Sequence, residues 1–496
     1  LNAGLERFDE ALEYEPGYAS AHLRYAFIAL IDGPYPAPAE PFHAATQLRA
    51  RLDPRERAFL DAIAPAFDLA AADPVELVRR VSDVALRYPD DLEIGLYRAM
   101  ALAWANHDRE AKAALRQLLA RDPKSATSWY LLAYIAGRAN ELDEARADIE
   151  RCLELAPDAI DCLWLRIKLN AYTGRCAEMN ADARRWQALK ANDHGAAIAQ
   201  VHALIALESD NAAIDAAEEA AAASMSVTLH TVARRFHEAS RRLLAGEFSA
   251  ADQILETLPI EAGFTVGDRL RLTEWRVALR EEIGDPEGAA AIAGDLRLRK
   301  GSLPSSGYLM DDGILADISP MLDAVLAGVG AIDRDEQRAR REAWLSDWRR
   351  RGAHHHEREL WLRGYAEPAR TPAEAREALA RLSSFGGVRR FAGDHLLIVD
   401  AARVYLLAGR ATEATELLRE AVRSCLAALE PIRVVQAHAL LGQSLEATGD
   451  RAGACAAYEQ VLRRWRGAQP RSRTAEDVAA RTAALGCELH RISSGG

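Results

Sequence analysis

The chain has 496 residues and a mass of 54.3 kDa, with 49% hydrophobic residues, 27% charged residues and a net charge of −12. That size predicts about three globular units or one long repeat array, and the apolar content excludes a chain disordered throughout. No run approaches the roughly 18 apolar residues of a membrane span, and no basic segment followed by an apolar one opens the chain as in a secretory leader. About one residue in five is Ala, the best helix former, which is the composition of an all-helical protein.

Phe8, Ala11 and Pro16 read as the second half of a helical repeat whose first helix lies at or before Leu1, so the chain is expected to be a piece of a longer protein. Pro89, Pro123 and Pro157 follow at 34-residue intervals. Each ends one helical segment and precedes the next, where a fixed φ and a missing N–H are tolerated. The clearest unit is ATSWYLLAYIAGRANELDEARADIERCLELAP (126–157). Trp129, Leu132, Ala133 and Ala136 share one face of a first helix, and Ala145, Ile149 and Cys152 one face of a second. Small Ala133 and Ala145 allow close approach, with Asn140 and Leu142 at the turn. Weaker copies lie at 92–123 and at 160–191, where Met179 stands in an Ala position. Ala251, Leu255 and Leu258, then Ala278, Gly284 and Ala289, continue the pattern. GSLPSSGYLMDDG (301–313) reads as a loop. Regular repeats return at 401–422 and 437–462, with Ala414 and Ala454 40 residues apart. The six extra residues around SCLAALEPIRVV are expected to lengthen the helices, and the tail ISSGG to fray.

The 34-residue period and the 126–157 segment resemble the tetratricopeptide repeat (TPR), with its pattern W-x2-L-[GA]-x2-Y…A-x3-F-x2-A…P. The expected fold is all-α, an α-solenoid of TPR and TPR-like helix-turn-helix repeats. Its expected divisions are N-terminal TPR-like helices (1–88), an array of 34-residue period (89–300), an irregular helical linker region (301–390) and C-terminal TPR pairs with a tail (391–496). Each pair completes its neighbour's core, and first helices line a concave groove of the kind that binds a peptide or protein. Groove positions 2, 5, 9, 12 and 13 include Tyr130, Tyr134 and Arg138 in one repeat and Trp164, Lys168 and Tyr172 in the next. These six are the expected partner-binding residues, because aromatics mixed with cations dominate interface energetics. The competing reading packs Tyr134 and Trp164 between neighbouring helices. The co-chaperone carboxylate clamp is not matched, since Leu96, Tyr130 and Trp164 stand where it uses a basic residue.

Other chemistry is sparse. Lys300–Gly301–Ser302 has the wrong order for a phosphate loop, and Gly442–Gln443–Ser444–Leu445–Glu446 lacks the last glycine of a nucleophile elbow. No catalytic residue, cofactor or metal is expected. His355 and Glu359 share a helix face within His354–His356 and Glu357–Glu359, but without a second ligand pair the run reads as a solvated helix start. From Arg338 to Arg473 there are 24 Arg, no Lys and 16 Asp or Glu, a local charge of +8. A surface for an acidic partner is one reading of that stretch. Trp344 and Trp348 in REAWLSDWRRR predict a core seam with a solvated basic end, the alternative being a site for a phosphorylated or acidic segment. The negative total charge disfavours nucleic acid. Six Cys without a C-x-x-C pair are expected to be reduced thiols in a cytoplasmic helical core.

GDRAGACAAYEQVLRRW with QPRSRTAEDVAARTAALGC (469–487), WLRGYAEPARTPAEAREALARL (361–382) and LDPRERAFLDAIAP (52–65) resemble the C-terminal TPR region of large bacterial serine/threonine protein kinases. The resemblance implies a regulatory or substrate-docking module behind a cytoplasmic kinase domain, with intramolecular contact to that domain. The kinase motifs themselves are absent from this sequence, so no catalytic residue carries over. The alternative is a ligand- or peptide-sensing array of a transcription regulator or cyclase.

Overall fold

The computed structural model describes residues 2–488 apart from 33–38, 68–73, 106, 192, 223–224, 259–265, 300–313, 316, 351–352, 354–355 and 383–395. The expected loop at 301–313, His354, His355 and the ISSGG tail lie outside the described residues. Among those described, regular structure is helical and contains no strand. Two compact units form, one on Leu1–Arg166 and one on Ile167–Ser305, Asp311–Arg350 and His356–Gly496.

The first unit contains α1 (Asn2–Tyr14), α2 (Ala19–Asp32), α3 (Ala39–Gln47), α4 (Pro54–Ile63), α5 (Pro74–Arg87), α6 (Leu92–Trp104), α7 (Asp108–Arg121), α8 (Ala126–Arg138) and α9 (Leu142–Leu155). The next helix, α10 (Ile160–Thr173), carries the division between the units. Caps explain the starts of α4, α6 and α8. Asp53 and Glu56 form a reciprocal capping box with Pro54 in the first turn of α4, and Asp91 and Ser125 accept from the first turns of α6 and α8. Phe27, Phe59 and Tyr97 form the aromatic centre of this core, their ring centroids 4.8–5.0 Å apart.

The second unit continues with α11 (Cys176–Leu189), α12 (His194–Ala206), α13 (Asn211–Ala222), α14 (Val227–Ala245), α15 (Phe248–Thr257), α16 (Val266–Glu282), α17 (Pro286–Arg299), α18 (Ser319–Gly328) and α19 (Arg334–Arg350). After these come α20 (Glu357–Trp361), a π-turn (Leu362–Ala366), α21 (Pro372–Leu382), α22 (Leu397–Leu407), α23 (Ala411–Ala421), α24 (Pro431–Ala447), α25 (Arg451–Trp465) and α26 (Arg473–Leu485).

Backbone handedness marks the repeat register. A left-handed residue ends the first helix of successive pairs: Asn140, Gly174 and Glu208 at 34-residue intervals, then Gly246 and Gly284, then Gly409 and Gly449. In the 126–157 frame this residue is position 15, so groove positions can be counted back from it wherever repeat length drifts.

The second unit is not a row of nearest neighbours. Its C-terminal pairs return to its early helices. Trp465, 1% exposed, donates through Nε1 to the Leu243 carbonyl at 2.9 Å and meets Phe248 edge-on. The 468–470 turn exchanges backbone hydrogen bonds with Gly246 and Ser249, both 3.0 Å. Glu282 accepts from Ser472 Oγ, Thr474 N, Thr474 Oγ1 and Gln436 Nε2 at 2.6–2.9 Å. Glu208 binds Arg463 and Arg464.

Two expectations are corrected outright and a third in part. All six cysteines pair, as Cys152–Cys162, Cys176–Cys425 and Cys455–Cys487, so none is a reduced thiol. Of the extra residues around Cys425, 422–430 form a largely buried turn, while Pro431–Val434 lengthen α24 to 17 residues as expected. Much of the Arg-rich stretch faces inward or is matched by carboxylates. Trp344 and Trp348 are buried and both donate to Asp317 Oδ2, at 2.9 and 3.2 Å, the expected core seam. At its end Arg349 binds Glu357 bidentately and Arg350 pairs with Asp347.

Candidate protein-binding groove

One 34-residue period before 126–157, groove positions 2, 5 and 9 fall on Glu93, Leu96 and Met100 of α6. These three line a depression of about 370 Å3 in the first unit, with Thr127 at position 2 of α8. Ile28, Leu92 and Leu118 extend its apolar wall, while Asp122, Ser125 and Ser128 give it a polar edge. Leu92 is 39% exposed, so the wall is open at that rim.

A charge network fixes the polar side. Arg24 holds Glu93 through Nε at 2.7 Å and Nη2 at 2.9 Å, and Glu56 through Nη1 at 2.8 Å. Tyr97 donates its hydroxyl to Glu93 at 2.9 Å. Burial and the Glu93 carboxylate push the Tyr97 phenol up. Arg55 joins Asp91 at 2.5 Å and Glu93 at 3.2 Å. Burial opposes charge on Asp91, but Arg55 and the Ile94 N–H outweigh it and hold the carboxyl below its usual range. Glu93 is thereby oriented from behind, its carboxylate already matched by two guanidinium groups.

The six expected contact residues divide between the units. Tyr130 and Arg138 are each 7% exposed. Arg138 Nη2 donates to the Ala103 carbonyl at 2.8 Å and pairs with Asp108, so it ties α8 to the preceding helix pair. Its guanidinium lies 5.6 Å from the Tyr134 ring centroid. Tyr134 and Trp164 are half-buried in the first unit, Lys168 and Tyr172 half-buried in the second. Glu93 and Met100 were missed by sequence reasoning. The frame that selected Tyr130 and Tyr134 points to them one repeat earlier.

Groove positions of the second unit are differently used. Ser240, Glu274 and Glu282, at positions 9, 5 and 13 of their repeats, all hold C-terminal parts of the chain. Glu274 belongs to a buried cluster centred on Arg363, which is 0% exposed on the π-turn. Arg363 donates to the Leu315 carbonyl at 2.5 Å, to Glu367 at 2.7 Å and to Glu274 at 3.3 Å. Arg433 bridges the same two carboxylates and lies 3.5 Å from Asp400, which binds Arg403 at 2.8 Å. Glu430, 2% exposed, is the fourth acid, 3.9 Å from Arg433. Burial pushes the Glu367 carboxyl up to about 7, with Glu274 and Asp400 adding to the shift and Arg363 and Arg433 opposing it. Elsewhere in this unit buried His237 bridges Glu218 and His202, 3.2 Å from each. No group of three or more His, Cys, Asp or Glu among the described residues is arranged to hold a metal. None of the described helices is long and apolar enough to cross a membrane.

Residues 126–159 match one tetratricopeptide-repeat family model, and 94–125 and 439–467 match another. No curated protein matches the chain. Among solved structures it is similar to Naa15/Naa10 bound to HypK-THB, at 16% identity over 90% of this chain and 70% of that one, TM-score 0.28. It is also similar to the TPR domain of P58(IPK), at 14% identity over 80% and 98%, TM-score 0.23. For the APC/C hetero-tetramer Cut9–Hcn1 the identity is 13% over 89% and 91%, TM-score 0.31. The chain carries tetratricopeptide repeats, and its fold is an all-α solenoid of TPR and TPR-like helix pairs.

Proposed function

We propose that the chain is a non-catalytic protein-interaction scaffold whose first-unit groove receives a peptide or protein segment. An apolar side chain of the partner would sit against Leu92, Leu96 and Met100, with polar contacts to Ser125, Ser128 and Asp122. The observation that carries this reading is the coincidence of an open, largely apolar depression with groove positions 2, 5 and 9 of matched repeats. Tyr134 and Trp164 remain proposed contacts in the first unit, and Lys168 and Tyr172 in the second. Buried Tyr130 and Arg138 would act by positioning their neighbours.

The test is retention of a partner captured from the native lysate by the purified chain. Leu92→Ala/Leu96→Ala should weaken binding at least tenfold, about 1.4 kcal/mol, with helicity unchanged. A partner retained by that variant but lost with Tyr134→Ala/Trp164→Ala moves the site along the array. One retained by both overturns the first-unit reading.

The kinase resemblance extends the proposal to a regulatory or substrate-docking role beside a serine/threonine kinase domain, and the sensing array of a transcription regulator or cyclase is its alternative. A cytoplasmic setting for either requires reduced thiols, whereas three disulfides favour an oxidising compartment. Alkylation of the protein in intact cells decides: six blocked cysteines exclude the cytoplasmic setting, and six reactive ones support it.

A further inference from the structure

The turn at 422–430 separates α23 from α24 and joins neither helix. Its side chains from 424 to 428 are buried nonetheless: Cys425 and Ala428 are 0% exposed, Leu426 3% and Ala427 6%. Earlier first helices take three of its backbone polar groups, while the Leu429 and Glu430 N–H groups stay within the turn on the Leu426 carbonyl. The Cys425 N–H donates to the Ala171 carbonyl at 2.8 Å. Ser240 Oγ donates to the Ala427 carbonyl at 3.4 Å, and Trp275 Nε1 to the Leu429 carbonyl at 3.2 Å. Ala171 and Ser240 occupy groove positions 12 and 9, counted from Gly174 and Gly246. Gly174 has φ +73°, and a Cβ there would stand 2.6 Å from the Arg423 carbonyl oxygen, so turn and close approach both demand glycine. One covalent bond, Cys176–Cys425, closes 249 residues onto this contact.

A peptide bound in a helical groove is held in the same manner. It has no helix or sheet of its own, its carbonyls and N–H groups are taken by the groove wall, and small apolar side chains are buried against it. We propose that residues 424–429 are an internal ligand of the second unit's groove, tethered by the Cys176–Cys425 bond. Once the tether is cut and the segment leaves, the same groove takes a short uncharged segment rich in Leu and Ala in trans. The main chain through α23 and α24 and the bond at Cys425 together hold the internal segment at an effective concentration in the millimolar range, which shuts out a micromolar competitor. A dithiol is the reductant that cuts the tether. Its thiolate bonds to Sγ of half-buried Cys176 and Cys425 leaves as thiolate. The second thiolate of the reductant then displaces Cys176, two electrons pass to the protein, both cysteines take up protons, and the reductant departs as a cyclic disulfide. This inference goes beyond the first-unit reading and survives its failure.

The test compares the full-length wild type, oxidised, with full-length C176S/C425S, which keeps the other two disulfides. Amides of 425–430 should exchange at least tenfold faster in the variant while α14 and α16 keep their protection. A fluorescein-labelled peptide of residues 422–432 carrying C425S should bind the variant, read by anisotropy, and not the wild type. Loss of protection in α14 and α16 together with the segment would make it ordinary core and overturn the proposal. Unchanged protection of the segment, or a loosened segment with no peptide binding, overturns it equally. If C176S/C425S does not fold, S240A/W275F with all disulfides intact serves instead. Faster exchange confined to 425–430 supports the proposal, and exchange spread through α14 or absent altogether refutes it.

Discussion

The α8–α9 pair of the first unit and the pairs of the second turn at the same left-handed repeat position, yet the two units put their groove positions to opposite uses. In the first, Glu93, Leu96 and Met100 face an open depression. In the second, Ser240, Glu274 and Glu282 hold the chain's own returning segments. The repeat pattern therefore governs how two helices meet, while a few polar groups at groove positions govern whether the groove is free. It also separates two kinds of stability. A row of neighbours gains its energy pair by pair, whereas a closed unit shares it across distant pairs.

The largest expected test of this contrast is Arg433→Met. It removes the guanidinium that bridges Glu274 and Glu367 and leaves them, with Asp400, less compensated in a buried setting. A loss of about 3–5 kcal/mol is expected, measured by urea unfolding with tryptophan fluorescence. The second unit should melt earlier as one cooperative step, and a loss confined to α24 would break the contrast.

The next effect is pH dependence of the second unit. Folded Glu367 keeps its proton up to about 7, above its ordinary 4.5, so the stability it contributes is full at acid pH and is lost as pH rises through 7. His438 works in the opposite sense. Burial first, then Arg464 and Arg463, push it down to about 4 from 6.5, so its contribution is lost as pH falls from 6.5 towards 4. Wild-type stability should therefore be nearly flat between about pH 4.5 and 6.5, where the two slopes cancel, and fall by on the order of 0.5 kcal/mol by pH 7.5. Glu367→Gln should remove the alkaline fall and uncover the His438 limb in full, on the order of 3 kcal/mol between pH 6.5 and 4. A variant with an unchanged alkaline limb would exclude Glu367 as the titrating group.

The smallest effect sharpens the register argument. Among the described residues Asn140 and Glu208 are the non-glycine left-handed ones, with φ of 65° and 53°. Asn140→Gly should raise the stability of the first unit by about 0.5–1 kcal/mol through relief of that conformation. Glu208→Gly relieves the same strain but removes the partner of Arg463 and Arg464, so it should give no gain. Thermal melts of the two variants with opposite or null signs would bear this out, and equal gains would show that the Glu208 pairs contribute nothing.

Helix pairing was legible in the sequence because it rests on local spacing: Ala133 and Ala145 at the close approach, prolines at 34-residue intervals, Asn140 at the turn. The closure was not. Its determinants are pairs such as Glu274 with Arg433 and Cys176 with Cys425, and separations of 159 and 249 residues leave no periodic signal. Arg363 and Arg403 read as ordinary members of a basic stretch, because inward direction depends on carboxylates brought from other helices. Of the groove, its frame was readable from Trp129 and Pro157, but not which repeat would be left open, since that follows from what the rest of the chain covers.

The Cys176–Cys425 bond also has a mechanical consequence. It makes the chain between them a side circuit, so a pull applied at the two ends passes through the sulfur bridge and leaves the intervening residues unloaded. Stretched at its termini, the oxidised protein would be shorter by roughly 850 Å of contour than one with this single bond cut, about 3.4 Å for each of the 249 residues held out of the line of force.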